Sequence, residues 1–281
     1  MTSGERQLFL IAAGISLDEK IEKAIANFRE YEREALRRDP ERGYYLCDSY
    51  GKDSCVIRDL AKRSGVRFQA HHNITTLDPP ELIRFGRKYH ADTTEHRPRV
   101  AMLTRLVENN IGPPTRLARW CCREYKESMG NDAIKVLGIR AAESNARKTA
   151  WRTWTLHSKT DSWILNPILY WTDVDVWQYI HGHSLPYCSL YDEGWSRLGC
   201  IGCPMAGKKR REQFARWPKY EQAWQRAFER FWAKWHRVPR RDGRPRSFDK
   251  RGWTSWRDMW SWWMEEDGAS DDDDTCQGML F

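Results

Sequence analysis

The 281 residues carry 47 Lys+Arg against 39 Asp+Glu, a formal net charge of +8, with 8 Cys and 16 Trp. That length allows one large domain with an appendage, or two small ones. The basic balance suits anionic partners such as nucleotides or nucleic acid, and equally suits plain solubility; with no run of about 18 apolar residues, a membrane-spanning helix is excluded.

Residues 8–15 are apolar but short, without a clear cleavage site or much of a basic leader. A buried strand or helix turn is expected there rather than a secretory signal. A helix is expected over 17–38, with Ile21, Ile25, Phe28 and Ala35 on one face and Pro40 and Gly43 ending it. The run 44–48 reads as a strand. A helix over 53–63 turns Val56, Ile57, Leu60 and Ala61 inward, and Gly65 fits its C-terminal cap. A second strand is expected over 66–74. Asp78 is expected to cap the helix that begins at Pro79-Pro80. A helix over 100–109 and a third strand over 133–139 follow.

Strands alternating with helices imply an α/β fold, a parallel twisted sheet flanked by helices in the Rossmann-like manner. Ligands of such sheets bind beyond the carboxyl ends of the strands. The loops 49–54, 75–78 and 140–144 all follow strands and are expected to converge on one site. Thr172 and Asp175 form a capping box ahead of a helix to about Ile180, and Asp173 and Asp175 there suit the helix dipole.

The last third differs. Tyr220, Ala223, Trp224, Ala227, Phe228, Phe231, Trp232 and Trp235 form an aromatic stripe at helical spacing, expected to pack into a core rather than stack on bases. A basic loop over 237–251 suits phosphate contacts or a solvated linker, a tryptophan-rich stretch follows, and the tail with Asp271 to Asp274 is expected to be disordered. The sequence thus divides into an N-terminal helical segment (1–43), a central domain (44–207), a basic aromatic extension (208–266) and an acidic tail (267–281).

Two places carry chemistry. The first is Ser49-Tyr50-Gly51-Lys52-Asp53-Ser54, at a strand-to-helix turn. It is not a Walker A loop, since Asp rather than Ser or Thr follows the lysine. Gly51 lets backbone N–H groups approach phosphate oxygens, Lys52 neutralises their charge, Ser49 and Ser54 donate hydrogen bonds, and Asp53 suits Mg²⁺. The plainer alternative is a glycine turn with Asp53 as a helix cap.

The second place is Cys121-Cys122 with Cys200-Ile201-Gly202-Cys203. Four thiolates can hold a tetrahedral Zn²⁺ or a [4Fe–4S] cluster. Adjacent cysteines are awkward for a zinc ribbon, and Gly199 and Gly202 give the bent backbone a cluster needs, so a cluster is expected, with zinc as the alternative. Clustered cysteines in a chain of this length suit a reducing, cytoplasmic setting.

The first loop resembles the Ser-Gly-Gly-Lys-Asp-Ser loop of the PP-loop adenine-nucleotide alpha-hydrolases, which holds the pyrophosphate of ATP or the sulfate or phosphate of a sulfonucleotide. Tyr50 stands where that family has its first glycine. The adjacent cysteines, Lys126 and the later Cys-x-x-Cys resemble the cluster motif of PAPS reductase (CysH-like) proteins, among them the adenylylsulfate reductases and DndC-like phosphorothioation proteins. Gly138-Ile139-Arg140-Ala141-Ala142-Glu143-Ser144 is similar to that family's nucleotide loop, and Trp171 to Trp177 to its Trp-Thr-x-x-Asp-Val-Trp helix start. The resemblance spans 44 to about 205. It implies a nucleotide site of Ser49, Tyr50, Gly51, Lys52, Asp53, Ser54, Arg140, Glu143 and Ser144 with Lys126 beside it. Lys52, Asp53 and Arg140 would act on ATP, adenylylsulfate or PAPS with Mg²⁺. Cys121, Cys122, Cys200 and Cys203 would ligate the cluster.

Reductases of this family carry a nucleophilic cysteine in a C-terminal Glu-Cys-Gly-x-His segment. Here the tail reads Asp274-Thr275-Cys276-Gln277-Gly278, with no histidine and with acidic residues that would raise a thiol pKa. The Leu-Asp-Thr-Gly-type segment after the second strand is replaced by Asn73-Ile74-Thr75-Thr76-Leu77-Asp78. Cys55 and Cys188 are expected to be structural, with sulfur relay an alternative for Cys188. The expected activity is therefore ATP cleavage at the α phosphate in sulfur transfer, with a sulfur donor or thiol reductant. Nucleic acid, in a phage, mobile-element or CRISPR setting, is one candidate acceptor. Sulfite-forming reduction is the alternative, and a non-catalytic nucleotide-binding module a second.

Overall fold

The computed structural model describes residues 14–130, 132–157, 162–240, 242–245 and 251–265. Most of the apolar run 8–15, the acidic tail and Cys276 lie outside the described residues. Helix α1 (Leu17–Arg38) opens on a capping box, in which Ser16 accepts from the Glu19 amide and the Glu19 carboxylate accepts from Ser16 N at 2.8 Å. It buries Ile21, Ala24, Phe28 and Ala35. Strand β1 (Tyr44–Cys47) leads into the Ser49–Ser54 loop and α2 (Lys52–Ser64), which ends at Gly65 in the left-handed conformation, φ 73°. Strand β2 (Phe68–Asn73), α3 (Pro80–Tyr89), β3 (Thr94–His96), α4 (Met102–Glu108) and α5 (Trp120–Tyr125) follow, then β4 (Lys135–Val136).

After β4 come α6 (Asn145–Ala150), β5 (Trp154–His157), β6 (Ser162–Leu165) and α7 (Asp173–Gly182). The chain then runs to α8 (Lys209–Arg216), α9 (Pro218–Trp235) and α10 (Trp256–Glu265). The six strands order as β3-β2-β1-β4-β6-β5. Five run parallel; β5 pairs antiparallel with β6, Trp154 opposite Leu165. The fold is α/β, a mostly parallel sheet flanked by helices with a helical C-terminal region.

Three local expectations need correction. The third strand shrinks from 133–139 to Lys135–Val136, because Leu137 to Arg140 leaves the ladder to border a cleft. Asp78 does not cap α3; its carboxylate accepts from Thr75 N at 2.7 Å and closes the preceding turn, leaving Pro79 at the N-cap. The sheet is not wholly parallel, since β5 folds back on β6. Strands β3, β5 and β6 were not expected: β3 reads Thr-Glu-His, and β5 and β6 are only four residues each.

One face of the sheet is covered by α1, α2 and α7, which pack Phe28, Ile57, Leu60, Val176 and Tyr179 on Tyr44, Leu46, Val136 and Leu165. The opposite face of β1–β3 is different. Tyr45 pairs with Gln69, Cys47 with His71, His71 with Thr94 and Asn73 with His96, and all of these are half-buried. A second core joins α4, α5, α9 and α10 around Trp120, Phe214, Trp224, Phe228, Phe231, Met259 and Trp263. The aromatic stripe of α9 therefore lies inside, with Trp224, Ala227, Phe228 and Phe231 buried. Among the described residues, no helix is long and apolar enough to cross a membrane.

Candidate functional site

Beyond the carboxyl ends of β1 and β4 lies a cleft of about 360 Å³. Ser49, Gly51, Lys52, Asp53 and Ser54 line it from one side, and Gly138, Arg140 and Glu143 from the other. The two walls meet because Gly138 has no side chain: a Cβ there would stand 3.0 Å from that of Asp53. The loop holds its own shape. Ser54 Oγ accepts from Ser49 N at 2.9 Å and lies 2.8 Å from Ser49 Oγ. Gly51 begins α2 with no side-chain cap, so the positive end of a 13-residue helix faces the cleft.

Tyr50 takes φ 61° without being a glycine, but it does not face the cleft. Its ring is buried, stacked 4.0 Å from His72 and edge-on to His90, over Gly86. A Cβ at Gly86 would stand 2.3 Å from that ring. Its amide donates to Asp48 Oδ1 at 2.9 Å. Burial pushes the Asp48 carboxyl up, but the His90 hydrogen bond at 2.6 Å, with Arg58 nearby, outweighs it and holds the group below its usual range. A tyrosine is strained at this positive φ, and the stacked ring offsets that strain.

Charge in the cleft is mixed. Lys52 and Arg140 are each 4% exposed. Lys52 Nζ lies 3.2 Å from Asp173 Oδ1 and donates to Ser196 O at 2.9 Å. Arg140 Nε donates to Asp53 Oδ1 at 2.7 Å, and its Nη2 to Asp173 Oδ1 at 2.9 Å. Glu143 pairs with Arg140 at 3.6 Å and closely with Arg147. Asp173, with its side chain 59% exposed, is thus a cleft residue and not simply a helix-dipole acid. Asp175 behaves as capping predicts and also pairs with buried Lys20 at 2.7 Å.

Tyr191, Ser196, Arg197 and Arg147 also line the cleft, and the Tyr191 hydroxyl accepts from Lys52 N at 2.9 Å. Nothing in their sequence spacing marked them; they arrive from a loop and a short helix folded over the site. Ser144 does not line the cleft. It caps α6, accepting from Arg147 N at 3.2 Å. The Thr75–Asp78 loop departs too: it packs on the cysteines, with Ile201 N donating to Leu77 O at 2.8 Å and Cys200 Sγ 3.3 Å from Thr75 Oγ1.

Cys121 and Cys122 ride on α5 while Cys200 and Cys203 sit on a loop pinned where Trp224 Nε1 donates to Ile201 O and Gly202 N donates to Gln213 Oε1. All four are in or against one aromatic core. Their charges interact: the Cys121–Cys122 hydrogen bond raises Cys121 and lowers Cys122, with Lys126 and Arg119 favouring the thiolate, while burial pushes Cys200 up to about 12. Lys126 is raised in turn, chiefly by Cys200, and lines the cleft as well. Among the described residues, no group of three or more His, Cys, Asp or Glu side chains is arranged to hold a metal ion. The four thiols with a neighbouring lysine are a donor set that fits a thiolate-held group, although here they stop short of coordinating geometry. Cys55 and Cys188 are buried, and burial raises both thiols.

A family model described as phosphoadenosine phosphosulfate reductase domain matches residues 44–206, more than half of the chain. An uncharacterised protein of Methanocaldococcus jannaschii is 28% identical over 165 residues, 54% of this chain and 31% of that protein. An adenosine 5'-phosphosulfate reductase of Bacillus anthracis is 33% identical over 90 residues, 30% of this chain and 39% of the reductase. The match thus spans between 31% and 39% of the length of these relatives. A phosphoadenylyl-sulfate reductase of Candida auris, solved as a phosphate complex, aligns with 15% identity and a TM-score of 0.49 over 72% of this chain and 97% of its own. With the phosphate loop, the Arg140 loop and the cysteine segments all inside the matched span, the chain belongs to the phosphoadenosine phosphosulfate reductase domain family.

Proposed function

We propose that the cleft takes ATP as its Mg²⁺ complex and that the chain cleaves it between the α and β phosphates, the adenylyl group activating an acceptor for sulfur transfer. The observation that carries this reading is that Asp53 and Asp173 share the same two cations, Lys52 and Arg140. A bare anion entering the cleft meets carboxylates as well as cations. A Mg²⁺ ion on those carboxylates reverses their effect and releases Lys52 and Arg140 toward phosphate oxygens. Ser49, Gly51, Ser54 and the first turn of α2 then donate to the phosphates. Arg140 offsets charge that develops at the α phosphate, and Lys52 that on the leaving pyrophosphate. Glu143 orients Arg140, while Tyr50 and Ser144 hold the backbone around the site.

Cys121, Cys122, Cys200 and Cys203 would hold a [4Fe–4S] cluster, or zinc in its place, and such a group would supply a redox-active or sulfur-bearing centre beside Lys126. Anaerobically purified protein is expected to carry about four irons with acid-labile sulfide; zinc without sulfide would make the cysteines a structural knot.

The second reading is sulfite-forming reduction of adenylylsulfate or PAPS with a thiol reductant. The matched family and the Bacillus relative support it. It needs a cysteine such as Cys276 as nucleophile. Release of pyrophosphate from ATP, lost in Asp53→Ala, supports the first reading. Release of sulfite from adenylylsulfate, lost in Cys276→Ser, supports the second. Binding without either product makes the chain a nucleotide-binding module. A nucleic-acid acceptor draws little support from the extension, since the aromatic stripe of α9 is spent on the core.

A further inference from the structure

Lys52 and Arg140, the two buried cations of the cleft, are already engaged, Lys52 by Asp173 and the Ser196 carbonyl, Arg140 by Asp53 and Asp173. The hydroxyls of Ser49 and Ser54 face each other at 2.8 Å. Tyr191 differs. It ends a single-turn helix (Ser189–Tyr191), lines the cleft, and accepts from Lys52 N at its hydroxyl oxygen, 2.9 Å away. A phenol also has one hydrogen of its own to give. Here that hydrogen has no acceptor among the described residues. Burial raises the Tyr191 pKa, against the pull of the Lys52 amide, so the hydroxyl keeps its hydrogen at neutral pH.

The ring is held in place from several sides. Trp177 of α7 meets it edge-on at 5.2 Å, and the Tyr187 ring lies 6.4 Å away. Lys52 Nζ stands 5.4 Å from its centroid, a cation over an aromatic face. Gly51 leaves room for the hydroxyl: a Cβ there would stand 3.3 Å from the hydroxyl oxygen. Lys52 is the first residue of α2, so its amide is one of those that find no partner within the helix. That amide meets Tyr191 and not the open cleft. A hydroxyl that accepts one hydrogen bond becomes a stronger donor through its own hydrogen. Tyr191 thus extends the positive end of α2 by one hydrogen bond, beside the ammonium of Lys52.

We infer that the Tyr191 hydroxyl is a phosphate-binding donor, giving its hydrogen to the β phosphate of the bound nucleotide while its oxygen stays on Lys52 N. The inference rests on the reading of the cleft as the seat of ATP, in which Lys52 serves the leaving pyrophosphate. Lys52 and Arg140 must turn from carboxylates to reach a phosphate; Tyr191 has no partner to give up. No proton moves, and the hydroxyl is neutral before and after pyrophosphate leaves.

Calorimetric titration of the full chain with inorganic pyrophosphate and with AMP, each with excess Mg²⁺, tests this. Tyr191→Phe keeps the ring against Trp177 and removes only the hydroxyl. The variant is expected to bind pyrophosphate about tenfold more weakly, and AMP, which lacks a β phosphate, within about twofold of the wild type. Retained AMP binding shows that its fold and cleft are intact. Pyrophosphate bound equally by variant and wild type would overturn the inference. An equal loss for pyrophosphate and AMP would overturn it too, by making the hydroxyl a general support of the cleft. The expected tenfold loss in a protein that releases no pyrophosphate from ATP would leave the contact standing and overturn the cleavage reading instead. A wild-type chain that binds no pyrophosphate would overturn both.

Discussion

Tyr50 and His71 show how single residues here spend conformational or protonation energy on the site. At φ 61° Tyr50 carries left-handed strain of about 1–2 kcal/mol. Removing a buried aromatic ring costs about 3–5 kcal/mol. Tyr50→Gly, the substitution that restores the family's usual glycine, is therefore expected to lower stability by about 2 kcal/mol. Urea unfolding reads this directly, and ATP affinity should stay within about threefold, because the ring faces away from the cleft. A gain in stability would show that the His72–Gly86 slot does not hold the loop. His71 gives a pH dependence. Burial, with the His96 ring 2.9 Å away, pushes its pKa down to about 4. The folded ring is neutral while the unfolded one takes a proton below about 6.5. That contribution is complete above about pH 6.5 and is lost as pH falls toward 4. Unfolding midpoints between pH 7 and 4.5 should fall, and less steeply in His71→Gln. Both residues were visible in the sequence, but only Tyr50 had a motif to mark it; the partners of His71 come from β1 and β3, which no local pattern links.

At the scale of elements, legibility followed periodicity. α1, α2, α7 and α9 were readable because apolar residues recur at helical spacing between capping signals, and Gly65 and the Thr172–Asp175 box sit where capping chemistry puts them. β3 reads Thr-Glu-His and is held by its neighbours in the sheet, so it gave no hydrophobic signal. The pairing of the cysteine segments was legible as spacing, but what fixes them was not. Gly202, at φ 77°, lets the loop lie against Trp224 Nε1 and Phe214, where a Cβ would stand 2.5 and 2.8 Å away. Helices α8 and α9 thus form the wall behind the cysteine loop. Gly202→Ala is expected to cost about 1–3 kcal/mol through overpacking. It should also speed labelling of Cys200 and Cys203 by a disulfide reagent under anaerobic conditions. Unchanged stability and labelling would mean that the loop is not seated by α9.

Across the whole molecule, two clusters of chemistry sit at neighbouring ends of one sheet and meet at Lys126, which borders the cleft and feels the charge of Cys200, Cys122 and Cys203. The sequence pointed to both clusters and to the lysine between them. It did not show that Asp173 would reach over to Lys52 and Arg140, since a helix-start acid has an ordinary explanation of its own. That missed contact decides which nucleotide form the cleft suits, because it makes the site two carboxylates and two cations rather than a purely basic cradle. Calorimetric titration with ATP, with and without Mg²⁺, tests this most directly. The account predicts that Mg²⁺ tightens ATP binding by about tenfold or more, and that Asp173→Asn removes most of that gain. ATP binding that Mg²⁺ weakens or leaves unchanged, with adenylylsulfate bound more tightly in its absence, would contradict it.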